Sequence, residues 1–196
     1  MQEKEVLLLL TDHWADWEAS NAVAGINSSG QYAVKTIAVD KQPKTSIGGL
    51  RAEIDYSIED YKNFDNLAMI ILTGGFSWGE NRYDEIADFV RRADSLDIPV
   101  AAICGATIFL GKHGFLDNIK HTGDNLEYFQ EKLKDEEGYK GRENFIQAQV
   151  VNEGGFITAN ETSALEFTCE ILRVLKLYKD EEIDSWYSKY KNGLSS

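Results

Sequence analysis

Three short, unbroken apolar runs constrain the fold of this chain more than any other feature. They lie at residues 6–10, 67–72 and 100–103, each is followed at once by polar residues or glycine, and segments of helical periodicity lie between them. A run of four to six apolar residues with no polar alternation is the signature of a parallel strand covered on both faces. Strands of this kind joined through helices predict a mostly parallel sheet with helices on both sides. The expected architecture is a flavodoxin-like three-layer α/β/α sandwich, with the three runs as adjacent or near-adjacent parallel strands.

The intervening segments follow the same reading. Residues 17–26 carry Trp17, Ala19, Ala22, Val23 and Ile26 at roughly helical spacing and close on Gly30. Residues 32–39 read as a second strand, residues 50–54 as a short extended piece, and residues 86–93 as a helix with Ile86, Phe89, Val90 and Ala93 on one stripe. A helix follows Cys104 and ends near Gly111 or Gly114. Residues 125–139 are charged and amphipathic, and two strand-like runs within 145–157 flank Asn152-Glu153-Gly154-Gly155, a hairpin signal. Residues 164–177 read as a helix, and residues 180–196 as a polar tail that contains Trp186, Tyr187 and Tyr190. No internal repeat or low-complexity linker interrupts the chain, so residues 1–196 are expected to form one domain.

Composition narrows the function. With 43% hydrophobic and 27% charged residues the chain falls in the globular range. A formal net charge of −13 opposes both a phosphate backbone and an anionic lipid surface, so nucleic acid and membrane are not the expected partners. No apolar stretch is long enough to span a bilayer and no basic, then apolar, leader is visible. Two cysteines, Cys104 and Cys169, are too few for a disulfide framework. A reducing, cytoplasmic location is the expectation.

Open parallel sheets bind ligands outside the carboxyl ends of their strands. Ala101-Ala102-Ile103-Cys104-Gly105-Ala106 sets a cysteine between a buried strand and a helix, with small neighbours that permit a nucleophile elbow. A helix N-terminus favours an anion, which predicts a thiol of lowered pKa. After another strand end, backbone N–H groups at Gly74 and Gly75, together with that of Gly105, are candidates to hold an oxyanion. Asp12, Asp16 and Glu18 follow the first strand and offer carboxyl groups for proton transfer. Of His13, His113 and His121, the last is the best base candidate, since it sits seventeen residues beyond Cys104 at the expected start of a returning strand. No two histidines or cysteines show short ligand spacing and no phosphate-cradling glycine loop is present, so neither a metal nor another cofactor is expected.

Taken in order, Trp14-Ala15-Asp16-Trp17-Glu18, Leu72-Thr73-Gly74-Gly75, Ala101 to Ala106 and Thr158-Ala159-Asn160 resemble the ThiJ/PfpI superfamily, within the class I glutamine amidotransferase-like fold. That group includes deglycase, intracellular protease and glyoxalase-chaperone members. The resemblance implies that Cys104 is the reactive cysteine, that Glu18 is the carboxyl group hydrogen-bonded to it, and that Gly74 and Gly75 line the oxyanion site. It also implies a homodimer and a small-molecule substrate. Two departures shape the expectation. Members with peptidase activity carry His directly after the cysteine where this chain has Gly105, and His121 falls about two residues early for the family's histidine. Glu80 stands near, but out of step with, an acidic position that some members use across their dimer. The expected function is a cysteine-dependent hydrolase or lyase acting on aldehydes, glycated adducts or amides. A redox-responsive protective role is the alternative, with peptide hydrolysis behind both.

Overall fold

A computed structural model describes residues 4–79, 83–134 and 139–193. The chain runs through β1 (Glu5–Leu9), α1 (Ser20–Ser29), β2 (Ala33–Ala38), the short β3 (Lys44–Thr45), β4 (Arg51–Ala52) and β5 (Tyr56–Ser57), then β6 (Leu67–Leu72) and α2 (Asp84–Asp94). It continues through β7 (Val100–Ile103), α3 (Gly105–Lys112), α4 (Leu126–Leu133), β8 (Val150–Glu153), β9 (Phe156–Ala159), α5 (Ala164–Val174) and α6 (Asp180–Asn192). Among the described residues the main sheet has seven strands in the order β5-β2-β1-β6-β7-β9-β8. All neighbours pair in parallel except β8, which is antiparallel to β9.

The three apolar runs are the central strands β1, β6 and β7, and they sort their side chains by pleat. Leu7, Leu9, Ile70, Leu72, Val100 and Ala102 pack with α2, α3 and α4 on one face. Val6, Leu8, Met69, Ile71, Ala101 and Ile103 pack with α1, α5 and α6 on the other. Strands with two buried faces cannot alternate with polar residues, which is why these runs are continuous. The fold is therefore the flavodoxin-like α/β/α sandwich, with β1 and β6 marking the point where the strand order reverses.

Several boundaries differ from the sequence reading, each for a local reason. The helix expected over 17–26 starts only at Ser20, because the preceding residues cross the sheet edge: Trp14 bridges Gly75, and the Ala15 N–H donates to the Gly74 carbonyl at 3.0 Å. The helix ends as expected at Gly30, which takes φ +65°. Within 145–157 the first strand starts at Val150, and the turn is made by Gly154-Gly155 alone, both left-handed at φ +60° and +84°. Residues 180–192 are a helix and not a tail. Its first turn carries Asp180, Glu181 and Glu182, its last turn Lys189 and Lys191, and the Glu182 carboxylate accepts the Lys179 N–H at 3.0 Å. Ile183 is buried on the face of the sheet covered by α1 and α5, and Glu166 of α5 accepts from Tyr187 at 2.6 Å and Lys191 at 2.9 Å.

Candidate active site

The carboxyl ends of β1, β6, β7 and β9 open into a cavity of about 980 Å³. Glu18 arrives from the crossing after β1, Gly74 and Gly75 from the end of β6, Cys104 from the end of β7, and Glu161 from just beyond β9. Asp124 and Tyr128 enter from the start of α4.

Cys104 sits at φ +55°, ψ −130°, an arrangement L-residues rarely adopt. Its backbone is fixed from three directions. The Cys104 N–H donates to the Ala159 carbonyl at 3.0 Å, and the Cys104 carbonyl accepts from the Thr107 N–H at 2.9 Å and its hydroxyl at 2.7 Å. This is the strained strand-to-helix turn that lifts a nucleophile off the sheet. Gly105 must be small here, because a β-carbon would come within 2.9 Å of the Gly75 carbonyl oxygen.

Glu18 is 1% exposed, and its Oε2 accepts the Gly74 N–H at 2.7 Å. The same carboxyl lies against the Cys104 side chain, the two meeting beside Gly74, and each shifts the other's proton affinity. β6 lies between β1 and β7, so this contact spans an intervening strand. It exists because Gly74 has no side chain: a β-carbon there would meet Glu18 Oε2 at 2.5 Å and Cys104 Cβ at 2.6 Å. Burial pushes the Glu18 carboxyl up from 4.5 to about 7, against the Gly74 and Cys104 hydrogen bonds, which lower it.

The expectation of a lowered thiol pKa at Cys104 is corrected by this environment. Burial raises it first, followed by the negative charges of Glu18 and Asp124, and only the Gly105 N–H hydrogen bond to sulfur acts the other way. One N–H at the start of an eight-residue helix does not outweigh desolvation and two neighbouring carboxylates. Glu18 and Cys104 therefore share protons: ionising one opposes ionising the other.

The oxyanion candidates divide. The Gly74 N–H is committed to Glu18, so it does not serve as a free donor. Among the described residues no acceptor takes the Gly75 N–H, which borders the cavity. Gly75 is held at φ +144° and a β-carbon would strike the His13 carbonyl oxygen at 2.4 Å, so only glycine brings the backbone this close. The Gly105 N–H points at the sulfur.

His121 is not brought to the site. It is fully buried, its Nδ1 lies 2.8 Å from the Ile119 carbonyl oxygen and its Nε2 2.9 Å from Tyr139 Oη. Phe129, Tyr139 and Phe145 pack around the ring, and burial lowers its pKa. The segment joins no named strand and bridges only Phe145, so its side chain turns into the α4 side of the core. Asp16 is also structural, its Oδ2 accepting from the Gly48 N–H at 2.9 Å and from the Ser46 hydroxyl. Glu80 lies outside the described residues.

Two acidic residues were missed. One atom each of Cys104, Asp124 and Glu161 lies within 4.8 Å of the others, and this trio is the described cluster whose spacing admits a cation. The Glu161 N–H donates to Asp124 Oδ1 at 2.8 Å, and burial raises the Asp124 carboxyl. Their positions after Gly123 and Asn160, at the ends of a crossing and a strand, were the available signal.

A model of the DJ-1/PfpI family matches residues 4–174. The chain is 38% identical over 182 residues to YdeA of Bacillus subtilis (strain 168), named as an uncharacterized protease, covering 92% of this chain and 88% of that one. It is 33% identical over 199 residues to YoaZ of the same organism, also named as an uncharacterized protease, with coverage of 97% and 92%. Among solved structures, that of the thiJ/pfpI family protein from Bacillus anthracis superposes with a TM-score of 0.89 at 32% identity, covering 99% of this chain and 93% of that chain.

Proposed function

The chain belongs to the DJ-1/PfpI family, and on that premise we propose that it is a cysteine-dependent enzyme whose Cys104 sulfur attacks the carbonyl carbon of a small aldehyde, glycated adduct or amide. The observation that carries this reading is the buried Glu18 carboxyl packed against the Cys104 side chain beside Gly74 and poised near neutral pH. A thiol held protonated by its surroundings needs a base at the moment of attack, and a carboxyl at about 7 is half-ionised where it is needed.

Glu18 takes the proton as the carbon–sulfur bond forms. The carbonyl π electrons move onto oxygen, and the Gly75 N–H, with Gly105 beside it, faces the new oxyanion. With an amide, Glu18 returns its proton to the departing nitrogen, and water then cleaves the thioester. With an aldehyde the adduct is a hemithioacetal, and the proton goes to its oxygen. His121 takes no part.

Oxidation sensing at Cys104 is the weaker reading, because it calls for a standing thiolate, which burial and neighbouring carboxylates oppose. Peptide hydrolysis, to which the names of the two curated relatives point, is retained as the comparison arm. The reading includes a homodimer in the cytoplasm; Cys104 and Cys169 are free thiols, and no helix among the described residues is long and apolar enough to cross a membrane.

A panel of small aldehydes, amides and unstructured peptides, assayed with the wild-type protein and Cys104→Ala, tests it. Turnover of an aldehyde or amide that disappears in Cys104→Ala is the expected result. Turnover that survives the substitution, or activity confined to peptides, would overturn it.

A further inference from the structure

Resting on that thiol chemistry, we propose that the site selects substrates carrying a positive charge, an ammonium or guanidinium group, a few ångströms from the carbonyl that the sulfur attacks.

Charge at the mouth points this way. Asp124 and Glu161 each bring a carboxylate oxygen within 4.8 Å of the sulfur. Neither has an ion-pair partner among the described residues, and Asp124 Oδ1 is occupied only by the Glu161 N–H. Lys132, the cation that lines the cavity, places its Nζ over the Tyr128 ring, 5.3 Å from the centroid. An anionic substrate would meet two uncompensated carboxylates there; a cationic one would complete the cluster.

The rim is an independent observation. Trp17 is 50% exposed, Phe76 71% and Tyr128 39%, and all three border this cavity. Large aromatic side chains exposed together around one opening mark a binding surface. Aromatic faces above an acidic floor suit a cation that is partly desolvated, and Tyr128 already holds one. A cation in this position also offsets the carboxylate charges that keep the thiol protonated, so the right substrate eases ionisation of its own nucleophile.

The test reads sulfur modification and needs no turnover, so it can fail separately from the proposed catalysis. Cys104 is treated, with EDTA present, with three methanethiosulfonates of similar size bearing a trimethylammonium, no charge or a sulfonate. The thiolate displaces the sulfinate leaving group and forms a mixed disulfide. Rates are followed by mass spectrometry and divided by those for a free thiol, with the buried Cys169 located by peptide mapping. The cationic reagent should be favoured over the neutral one by about tenfold or more, and the sulfonate disfavoured, with the preference shrinking as salt screens it. Asp124→Asn and Glu161→Gln should each cut the ratio of the cationic to the neutral rate about threefold or more, with Asp124→Asn also raising the neutral rate because it removes a charge that opposes thiol ionisation, and Phe76→Ala should slow only the cationic reagent. The salt dependence of the wild-type protein keeps the test independent of any variant that folds poorly. Normalised rates equal for all three charges, or a preference unchanged when both carboxylates are removed, would overturn the proposal.

Discussion

Replacing Glu18 by Gln isolates the proton that the site stores. The folded protein raises the Glu18 carboxyl from 4.5 to about 7, chiefly by burial, so between these values the folded chain holds a proton that the unfolded chain has released. By linkage, stability then falls as pH rises through this window, because the native state binds the extra proton. At about 1.36 kcal/mol per pKa unit, ionising Glu18 in place costs the fold roughly 3 kcal/mol, present above pH 7 and absent near pH 4.5. Gln is close in shape to the neutral acid. Its carbonyl can accept from Gly74 and its amide can donate to sulfur, but it does not titrate. Wild type and Glu18→Gln should therefore have similar stability near pH 4, below the unfolded value, and the variant should gain roughly 3 kcal/mol on wild type by pH 8. Urea unfolding of both proteins across this range, compared as a difference at each pH, removes the titration of all other groups. A difference that does not change with pH would refute the claim that this carboxyl is buried and raised.

The same carboxyl should give the proposed reaction a rising limb in kcat/KM near pH 7, which Glu18→Gln removes; a limb that persists in the variant assigns it elsewhere. Because burial and carboxylates push the Cys104 thiol up, its alkylation by iodoacetamide should keep accelerating beyond pH 9, and a plateau below about 8.5 would contradict that environment. Gly74→Ala should break the Glu18–Cys104 contact, abolishing turnover and costing about 1–3 kcal/mol by urea unfolding; a variant with wild-type turnover would show that the carboxyl need not reach the sulfur. His121→Ala should cost about 2–4 kcal/mol through its lost hydrogen bonds and packing, while leaving the Cys104 modification rate within about twofold. A large change in that rate would return His121 to the site.

What could be read from the sequence was whatever leaves a one-dimensional trace. Continuous apolar strands fixed the sheet's centre, because burial on both faces leaves no polar position in β1, β6 or β7. Small residues around Cys104 and the glycine pair marked the elbow, because only those residues fit where a β-carbon would strike Glu18, His13 or Gly75 atoms. Proton affinities left no such trace. A helix N-terminus suggested an acidic thiol, but the outcome is a balance among burial, Glu18 and Asp124, and Asp124 is twenty residues from Cys104 along the chain. His121 failed for a related reason: spacing placed it after the elbow, while the aromatic packing of Phe129, Tyr139 and Phe145 turned it into the core.

Those two errors share one cause, and it bears on how the site works. Each assumed that the nucleophile must be activated at rest, by a dipole or by a histidine. The structure instead places the sulfur in a strained backbone where burial and neighbouring carboxylates push its pKa up, beside a raised carboxyl that Gly74 alone allows to approach. A resting thiolate reacts with any electrophile or oxidant that enters, whereas a thiol whose ionisation is eased by a bound cation, as proposed, would react chiefly when its substrate is in place. Burial of Glu18, the missing side chain of Gly74 and the acidic mouth then act together in the proposed reaction: Glu18 takes the thiol proton, and a cationic substrate would offset the Asp124 charge that opposes its loss.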